Sequence, residues 1–225
     1  MDTLFNDFGQ SLRTFCICFV PAILGIILHE VGHGLAALRE GDSTAKDMGR
    51  LTLNPLPHID PVGLIVFILT SLSGGIVFGW AKPVPFDPRN LRNLRRGILH
   101  VALAGPCTNF LLALLWAGLL KLAILFPPAD WYVSTTYSFV LSMMQAGIII
   151  NLGLGFFNLV PVPPLDGSKV IVSFLPPKAA YTFLSLEKYS FLILIVLIAT
   201  GLLGQIVRPL IHGGYNLILL LFNIS

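Results

Sequence analysis

The sequence predicts an all-α, polytopic membrane protein, and three observations support that fold class. Of the 225 residues, 55% are hydrophobic and only 11% are charged, whereas charged residues make up roughly a quarter of an ordinary soluble domain. The mean hydropathy is +0.84. The apolar residues form long runs, several of them close to the roughly 20 residues that a helix needs to cross a hydrocarbon core of about 30 Å. We therefore expect a single integral membrane domain over residues 1–225, with about five to six transmembrane helices.

Five apolar stretches are long enough to span the bilayer, or nearly so. Stretch A covers residues 15–38, B covers 61–80, C covers 98–126, D covers 139–160 and E covers 191–207. A shorter apolar tail, residues 210–224, follows Arg208-Pro209 and is expected to form a sixth, tilted or partial helix separate from E. The N-terminus, MDTLFNDFGQ, has neither a basic region nor a small-residue cleavage site, so no removable signal peptide is expected.

The basic residues predict the orientation of these helices. The connection before stretch C, residues 81–97, contains five of the fourteen Lys and Arg residues, whereas residues 127–138 contain none. Cytoplasmic loops of membrane proteins carry an excess of Lys and Arg. The connection before C is therefore expected in the cytoplasm, and stretch D should also end there.

Charge and cysteine usage argue against two other kinds of site. The formal net charge is only +3, and the basic residues are scattered between apolar runs rather than clustered with aromatic residues, so nucleic-acid binding has no support. Cys16, Cys18 and Cys107 lie in apolar segments without the spacing of a metal knuckle. Neither a disulfide framework nor a cysteine-based zinc site is expected.

Stretch A contains the segment IILHEVGHGL, in which two histidines and a glutamate interrupt an apolar run. On a helix, His29 and His33 project from one face about one turn apart, and Glu30 lies beside that face. This is the H-E-x-x-H pattern of zinc metalloproteases, in which the imidazoles bind zinc and the glutamate acts as general base. The alternative is a set of polar groups that bond neighbouring helices. Because ionisable residues are costly in a membrane, three within five positions favour a functional site.

Two histidines need at least one further protein ligand to hold zinc. The best candidate is Asp166 in the segment NLVPVPPLDG, which lies just beyond stretch D. The prolines of this segment release the backbone from regular helix. An ordinary turn at the membrane exit is the alternative reading of Asp166-Gly167, and the two histidines shift the balance towards a ligand.

Five segments together resemble one known family. They are HEVGH at 29–33, GRLTLNPLPHIDPVG at 49–63, GWAKPVP at 79–85, AGPCTN at 104–109 and FNLVPVPPLDG at 157–167. In order and spacing they resemble the site-2 protease family of intramembrane zinc metalloproteases, in its compact prokaryotic branch without PDZ or CBS domains. The resemblance implies one Zn²⁺ per chain held by His29, His33 and Asp166, with Glu30 as catalytic acid/base. It also implies that Asn158 contacts the substrate backbone or oxyanion.

The function implied is hydrolysis of peptide bonds within or near the transmembrane segment of other membrane proteins, known as regulated intramembrane proteolysis. The expected location is the bilayer of a prokaryotic cell (inner) membrane, with the active site towards the cytoplasmic side. Two alternatives remain open: a metal-ion transporter, and a catalytically idle membrane adaptor, which would have no need for Glu30. The sequence does not identify the substrate, the upstream trigger, the organism or the oligomeric state.

Stretch B is predicted to be re-entrant. If B crossed the membrane, His29 and Asp166 would lie on opposite sides of a core of about 30 Å and could not share one ion. B should therefore return to the side where it began, with a bend near residues 73–75. Before it, residues 51–57 alternate and then become proline-rich, which predicts a short strand or hairpin. We expect that strand to pair with an unwound substrate segment.

The remaining polar residues are weaker candidates. Asn109 in AGPCTN could contact substrate, although hydrogen bonding between helices is the favoured alternative. His58 and Asp60 lie within a family segment, where loop stabilisation is at least as plausible as chemistry. His100 and His212 lie near predicted membrane boundaries and receive no role.

Overall fold

The computed structural model describes residues 2–72, 80–127 and 135–224, and this part of the chain is built from helices joined by short turns. The long helices are α1 (Asp2–Glu40), α4 (Leu94–Leu125) and α5 (Thr135–Asn158). Between α1 and α4 lie α2 (Thr44–Asp47) and α3 (Pro61–Leu72), and after α5 come α6 (Asp166–Phe174), α7 (Pro177–Leu184), α8 (Ser190–Ala199) and α9 (Leu202–Leu221). The all-α fold class is confirmed.

Fewer helices than predicted are suited to crossing a membrane. Among the described residues, three qualify by length and composition: Gly9–Glu40, Leu94–Leu125 and Thr135–Asn158. A fourth is added only if the bent pair Pro177–Tyr189 and Leu192–Ala199 forms one span. The prediction of five to six spans is therefore not confirmed.

The predicted boundary between stretch E and the C-terminal tail is wrong. The chain breaks at Gly201, which has a positive φ of 73° and separates α8 from α9. Glycine adopts this left-handed conformation without steric cost and so ends helices readily. Pro209, the expected separator, lies inside α9. Proline is tolerated in apolar helices where neighbouring groups satisfy the freed backbone, so the glycine rather than the proline divides the sequence here.

The strand predicted for residues 51–57 is also wrong. Residues 51–53 form bends, and Leu56–His58 form a single 3-10 turn. Side chains capture the backbone locally: the Thr52 hydroxyl accepts from the Asn54 amide N–H, and the Asn54 side chain accepts from the Leu56 N–H. Such side-chain bonds compete with strand pairing, and the two prolines of the segment lack the N–H groups that a ladder needs.

The residues that flank stretch B lie side by side, as a re-entrant segment requires. Ile59, just before α3, forms an isolated antiparallel bridge with Ala81, and the Lys82 N–H donates to the His58 carbonyl at 2.8 Å. A 20-residue helix would instead separate its ends by about 30 Å. The bend expected near residues 73–75 lies outside the described residues.

The core lies where α1, α4, α5 and α9 pack together. Gly147 on α5 lets that helix approach α4 so closely that a Cβ at this position would overlap the Trp116 indole. The surrounding buried cluster contains Ala113, Trp116, Ala117, Leu120, Ile148, Leu152 and Ile218. This packing fixes α4 against α5, and α1 packs against both of them.

A buried aspartate fixes the end of α1 against the loop that leads into α4. Asp42 has no exposed surface. Its carboxylate accepts from the Thr44 N–H and hydroxyl, from the Asn90 side-chain amide at 2.9 Å and from the Asp87 N–H at 2.8 Å. The Arg92 N–H donates to the carbonyl of Glu40 nearby. The segment that runs from residue 80 to α4 is therefore anchored to α1.

Candidate metal centre

Three side chains far apart in sequence converge on one point. His29 and His33 project from α1, and Asp166 is the first residue of α6. The two Nε2 atoms lie 2.9 Å apart, and Asp166 Oδ2 lies 3.2 Å from His29 Nε2 and 3.1 Å from His33 Nε2. His29 and Asp166 are buried, and His33 is nearly so. The structure thus brings together the three residues that the sequence proposes as ligands.

The hydrogen bonds of the two rings determine which nitrogens face this point. His29 Nδ1 lies 2.6 Å from Asn109 Oδ1, and His33 Nδ1 lies 2.6 Å from the carbonyl oxygen of Val101. Oxygen atoms of amides only accept hydrogen bonds, so in the neutral rings both Nδ1 atoms carry the proton. Both Nε2 atoms consequently present lone pairs to each other and to Asp166.

This arrangement fits a divalent metal. Among the described residues, Asp166 Oδ2 has no hydrogen-bond donor although it is buried, because the neighbouring Nε2 atoms have no proton to give. Three convergent acceptors repel one another unless a cation lies between them. An ion bound tetrahedrally at about 2.0–2.1 Å separates its ligands by about 3.3 Å, and the observed 2.9–3.2 Å is close to that spacing. Two imidazoles and a carboxylate are donors that zinc accepts.

A buried amide network holds the His29 ring. Asn109 on α4 donates from Nδ2 to the Gly25 carbonyl at 3.0 Å and to Asn151 Oδ1 on α5 at 3.1 Å, which leaves its Oδ1 to accept from His29. Asn151 in turn donates to the Gly147 carbonyl. Both asparagines have no exposed surface. The contacts of Asn109 match the interhelical role, and the suggested substrate contact stays a prediction.

A glycine on α4 makes room for the two imidazoles. A Cβ built on Gly105 would lie 2.5 Å from His33 Nε2 and 2.6 Å from His29 Nε2. Real Cβ atoms essentially never approach other heavy atoms this closely. The backbone of α4 therefore forms one wall of the site, and any side chain at position 105 would displace the ring nitrogens.

Glu30 lies next to His29 on α1 and is held by a backbone amide. Its Oε2 accepts a hydrogen bond from the Val84 N–H at 2.7 Å. Val84 belongs to the GWAKPVP segment and is buried. Glu30 is half-buried and has a second carboxylate oxygen for other partners. A carboxylate fixed beside a metal site in this way is suited to act as a general base.

Comparison with known proteins gives related sequences over almost the whole chain. The chain is 33% identical to "Putative zinc metalloprotease YwhC" of Bacillus subtilis, over 97% of this chain and 95% of the relative. It is 29% identical to "Putative zinc metalloprotease Rip2" of Mycolicibacterium smegmatis, over 90% of this chain and 74% of that protein. The family model described as peptidase family M50 matches residues 129–200. No solved structure matches.

The chain belongs to peptidase family M50. The membership and the apolar helices together identify a membrane protein related to zinc metalloproteases. A third relative, "Putative zinc metalloprotease MJ0611" of Methanocaldococcus jannaschii, is 30% identical over 75% of each chain.

The other candidate residues of this M50 protein have local partners. Asn158 donates to the Leu154 carbonyl on its own helix, and Asp60 accepts from the Gly63 N–H at the start of α3. His58 Nε2 bonds the Thr52 carbonyl oxygen, and His100 Nδ1 lies 2.6 Å from Glu40 Oε1. For His58 and Asp60, loop stabilisation is the alternative that these contacts match. His212 is exposed on α9.

Sequence reasoning missed several groups that support this M50 site. Asn151 is an amide inside an apolar stretch, and that setting alone could have marked it. The Val101 carbonyl and the Val84 N–H are backbone groups, so no residue type signals them. Arg50 is buried and donates to the carbonyl oxygens of Lys82 and Pro83. Because Arg50 lies in a polar connection, nothing in the neighbouring sequence indicates that it is buried.

Proposed function

We propose that the protein is a zinc-dependent endopeptidase that hydrolyses peptide bonds within or near the transmembrane segments of membrane-protein substrates. The observation that carries this proposal is the convergence of three unprotonated acceptors, His29 Nε2, His33 Nε2 and Asp166 Oδ2, beside the fixed carboxylate of Glu30. Membership of family M50 supports the same activity. One Zn²⁺ per chain matches the single cluster of His, Cys, Asp and Glu ligands found among the described residues.

In this proposal each residue has a distinct task. His29, His33 and Asp166 would hold the metal, which when bound supplies the Lewis acidity that activates water and polarises the scissile carbonyl. Glu30 takes a proton from the attacking water and delivers it to the nitrogen of the leaving amine. Asn109 accepts a hydrogen bond from His29 Nδ1–H and so keeps His29 in the tautomer whose Nε2 is unprotonated. Asn158, at the end of α5, is the candidate for binding the substrate backbone.

The depth of the site supports a membrane-embedded substrate. His33 and His29 lie seven and eleven residues before the end of α1 at Glu40, or about 11 and 17 Å along a helix with a 1.5 Å rise per residue. A transmembrane segment is the natural source of a peptide bond at that depth. Because a helix hides its carbonyls in internal hydrogen bonds, such a substrate must unwind before it is cut. We propose that the site lies towards the cytoplasmic side of a prokaryotic cell membrane, because the Lys and Arg residues are concentrated in the connection before α4.

The decisive experiment compares the purified protein with its Glu30→Gln variant on a panel of single-span membrane substrates in liposomes. We expect cleavage within the apolar segment by the wild type, loss of cleavage on chelation and recovery when zinc is added back. The Glu30→Gln variant should bind the same amount of metal and cut at least about 100-fold more slowly, since general base catalysis contributes on that order.

Other outcomes would exclude the proposal in different ways. Zinc flux across the liposome membrane without any peptide cleavage would indicate a transporter. Full biological activity of the Glu30→Gln variant would indicate an adaptor that does not hydrolyse peptides.

A further inference from the structure

A single peptide group connects the catalytic candidate Glu30 to a buried arginine. The Val84 N–H donates to Glu30 Oε2 at 2.7 Å. The carbonyl of Pro83 belongs to the same planar peptide group, and it accepts a hydrogen bond from Arg50 Nη2 at 3.2 Å. The same guanidinium nitrogen bonds the Lys82 carbonyl at 2.8 Å. The Glu30 carboxylate and the Arg50 guanidinium therefore lie at opposite ends of one peptide dipole.

Arg50 is placed for this contact rather than for an ion pair. Only 6% of the surface of Arg50 is exposed. In the part of the chain that the structure describes, no carboxylate oxygen lies within 4.0 Å of its guanidinium. Burying an unpaired charge is costly unless it is strongly hydrogen bonded. The hydrogen bonds that offset the cost of burying Arg50 go to the carbonyls of Lys82 and Pro83, the two residues before Val84.

The surroundings make the connection rigid. The Arg50 N–H donates to the Ala45 carbonyl at 2.8 Å, and the Lys82 N–H donates to the His58 carbonyl. On the other side, the Val84 side chain packs where Gly34 lies on α1, so closely that a Cβ on Gly34 would lie 3.1 Å from Val84 Cγ1. Gly34 is one turn beyond Glu30. The residues on either side of the Pro83-Val84 peptide bond are thereby fixed, Lys82 to the loop before α3 and Val84 to α1.

We propose that Arg50 is a positioning residue for Glu30 that acts through the peptide group joining Pro83 to Val84. The catalytic part of this inference rests on the proposed protease function. A cation at the carbonyl end of a peptide polarises it and strengthens its N–H as a donor. Arg50 thus fixes the donor that holds one oxygen of Glu30, and so directs the other oxygen towards the water that is to be activated.

The sequence around Val84 offers a direct readout. Pro83 and Pro85 have no amide hydrogen, so the Val84 amide is the only backbone amide that exchanges between Lys82 and Phe86. Hydrogen–deuterium exchange of a short peptide from this region therefore reports mainly on the bond to Glu30. Replacing Glu30 by Ala, which removes the acceptor, calibrates the exchange rate of the free amide.

The test compares Arg50→Met, which removes the charge and the donors, with Arg50→Lys, which keeps a cation. For Arg50→Met we expect Val84 exchange to approach the Glu30→Ala rate. We also expect kcat to fall about tenfold or more, because misplacing a catalytic group by about 1 Å can cost about 100-fold. KM and bound zinc should stay within about twofold of wild type, since the metal ligands are untouched. Arg50→Lys should recover kcat to within about threefold.

Arg89→Met is the matched control, because Arg89 lies in the same connection as Val84 and its side chain is 89% exposed. We expect wild-type exchange and kinetics from it. Val84→Pro removes the donor itself and serves as the second variant if Arg50→Met does not fold. Combining Val84→Pro with Arg50→Met should lower kcat no further than Val84→Pro alone, since both changes break the same connection.

Several results would overturn the proposal. Wild-type exchange at Val84 and wild-type kcat in Arg50→Met would do so. So would a loss of kcat accompanied by loss of zinc and faster exchange throughout α1 and α4, which would show a general structural role. If the wild type cleaves nothing, the protease function fails, while Val84 exchange still decides separately whether Arg50 controls the bond to Glu30.

Discussion

At the scale of single residues, the site depends on groups that set the protonation of its ligands. His29 and His33 present Nε2 lone pairs to a metal because their Nδ1–H groups donate hydrogen bonds to Asn109 Oδ1 and to the Val101 carbonyl. Outer hydrogen bonds of this kind orient metal-binding imidazoles and raise their basicity. The affinity for metal should therefore depend on residues that never touch it.

Replacing Asn109 by Ala should weaken zinc binding by about 10- to 100-fold, the usual effect of losing an outer-shell partner. The variant removes the acceptor for His29 Nδ1 and frees the ring to turn or to change tautomer. Affinity can be measured by competition with a chromophoric chelator in detergent. Replacement of Asn93, which caps the exposed start of α4, is the control. Equal affinities in Asn109→Ala and wild type would contradict this role.

Gly105→Ala should abolish metal binding more completely than any change in the outer hydrogen bonds. The added methyl would occupy the space of the two Nε2 atoms, since a Cβ there lies within 2.6 Å of both. Gly118→Ala on the same helix is the matched control, because the nearest atom to its Cβ is 3.6 Å away. Bound zinc per chain, measured by mass spectrometry of metals, should be lost from the first variant and retained in the second.

Sequence reasoning goes furthest at this scale where the chemistry is carried by side chains. The spacing of His29 and His33 requires only a helix, and Asp166 is the one acidic residue in the proline-rich segment NLVPVPPLDG after stretch D. The three are brought together as expected. The partners of the imidazoles depend on how α1 packs against α4, which residue types alone do not specify. The sequence therefore leaves two roles open for Asn109 and gives no role for Asn151.

At the scale of elements, long apolar helices were predictable and their interruptions were not. The helices α1, α4 and α5 follow from runs of apolar residues that exceed the thickness of a bilayer. The division between α8 and α9 depends on the left-handed backbone of one glycine, Gly201. Residues 51–57 alternate like a strand, but the Thr52 and Asn54 side chains bond the neighbouring backbone and prevent strand pairing.

The junction between α1 and the loop before α4 should be sensitive to acid. Burial alone would raise the pKa of Asp42, but the hydrogen bonds from Asn90, Thr44 and Asp87 outweigh it and hold the pKa below its ordinary value of 3.8. Since the carboxylate is favoured in the folded state, its contribution to stability is full above that value. The contribution is lost as the pH falls through the lowered pKa.

The Asp42→Asn variant should therefore be destabilised at pH 7, by about 1–3 kcal/mol, because its amide would face the Asp87 N–H donor. Its melting temperature should also fall less than that of the wild type between pH 5 and pH 3. Asp47→Asn is the control, since Asp47 is exposed and its carboxylate accepts from the Ser43 hydroxyl of its own turn. Thermal unfolding in detergent measures both effects, and identical pH profiles for Asp42→Asn and wild type would rule the explanation out.

At the scale of the whole molecule, the pairing of Ile59 with Ala81 predicts a membrane topology in which residues 61–80 do not cross the bilayer. The bridge between them places the connection after α1 and the connection before α4 side by side. Arg95, at the start of α4, also donates to the carbonyl of Leu175 after α6. The three connections that surround the site should consequently face one aqueous compartment, and the excess of basic residues in the second of them indicates the cytoplasm.

Cysteine labelling in intact cells can test this arrangement. The free cysteines Cys16, Cys18 and Cys107 are first replaced, and single cysteines are then introduced at exposed positions. Lys46 and Pro88 lie in the two connections that are joined through Asp42 and the bridge, and Phe126 lies at the far end of α4 with 75% of its surface exposed. A helix of 32 residues extends about 48 Å at 1.5 Å per residue, so position 126 lies beyond the opposite face of a bilayer of about 30 Å.

We expect cysteines at 46 and 88 to react with a membrane-impermeant maleimide only after the cells are opened, and a cysteine at 126 to react in intact cells. This pattern follows if α4 spans the membrane and residues 61–80 do not. Labelling of 46 and 88 from opposite faces would mean that the 61–80 segment crosses the bilayer. That result would contradict the arrangement, because His29 and Asp166 would then belong to opposite sides of the bilayer, whereas their ligand atoms lie 3.2 Å apart.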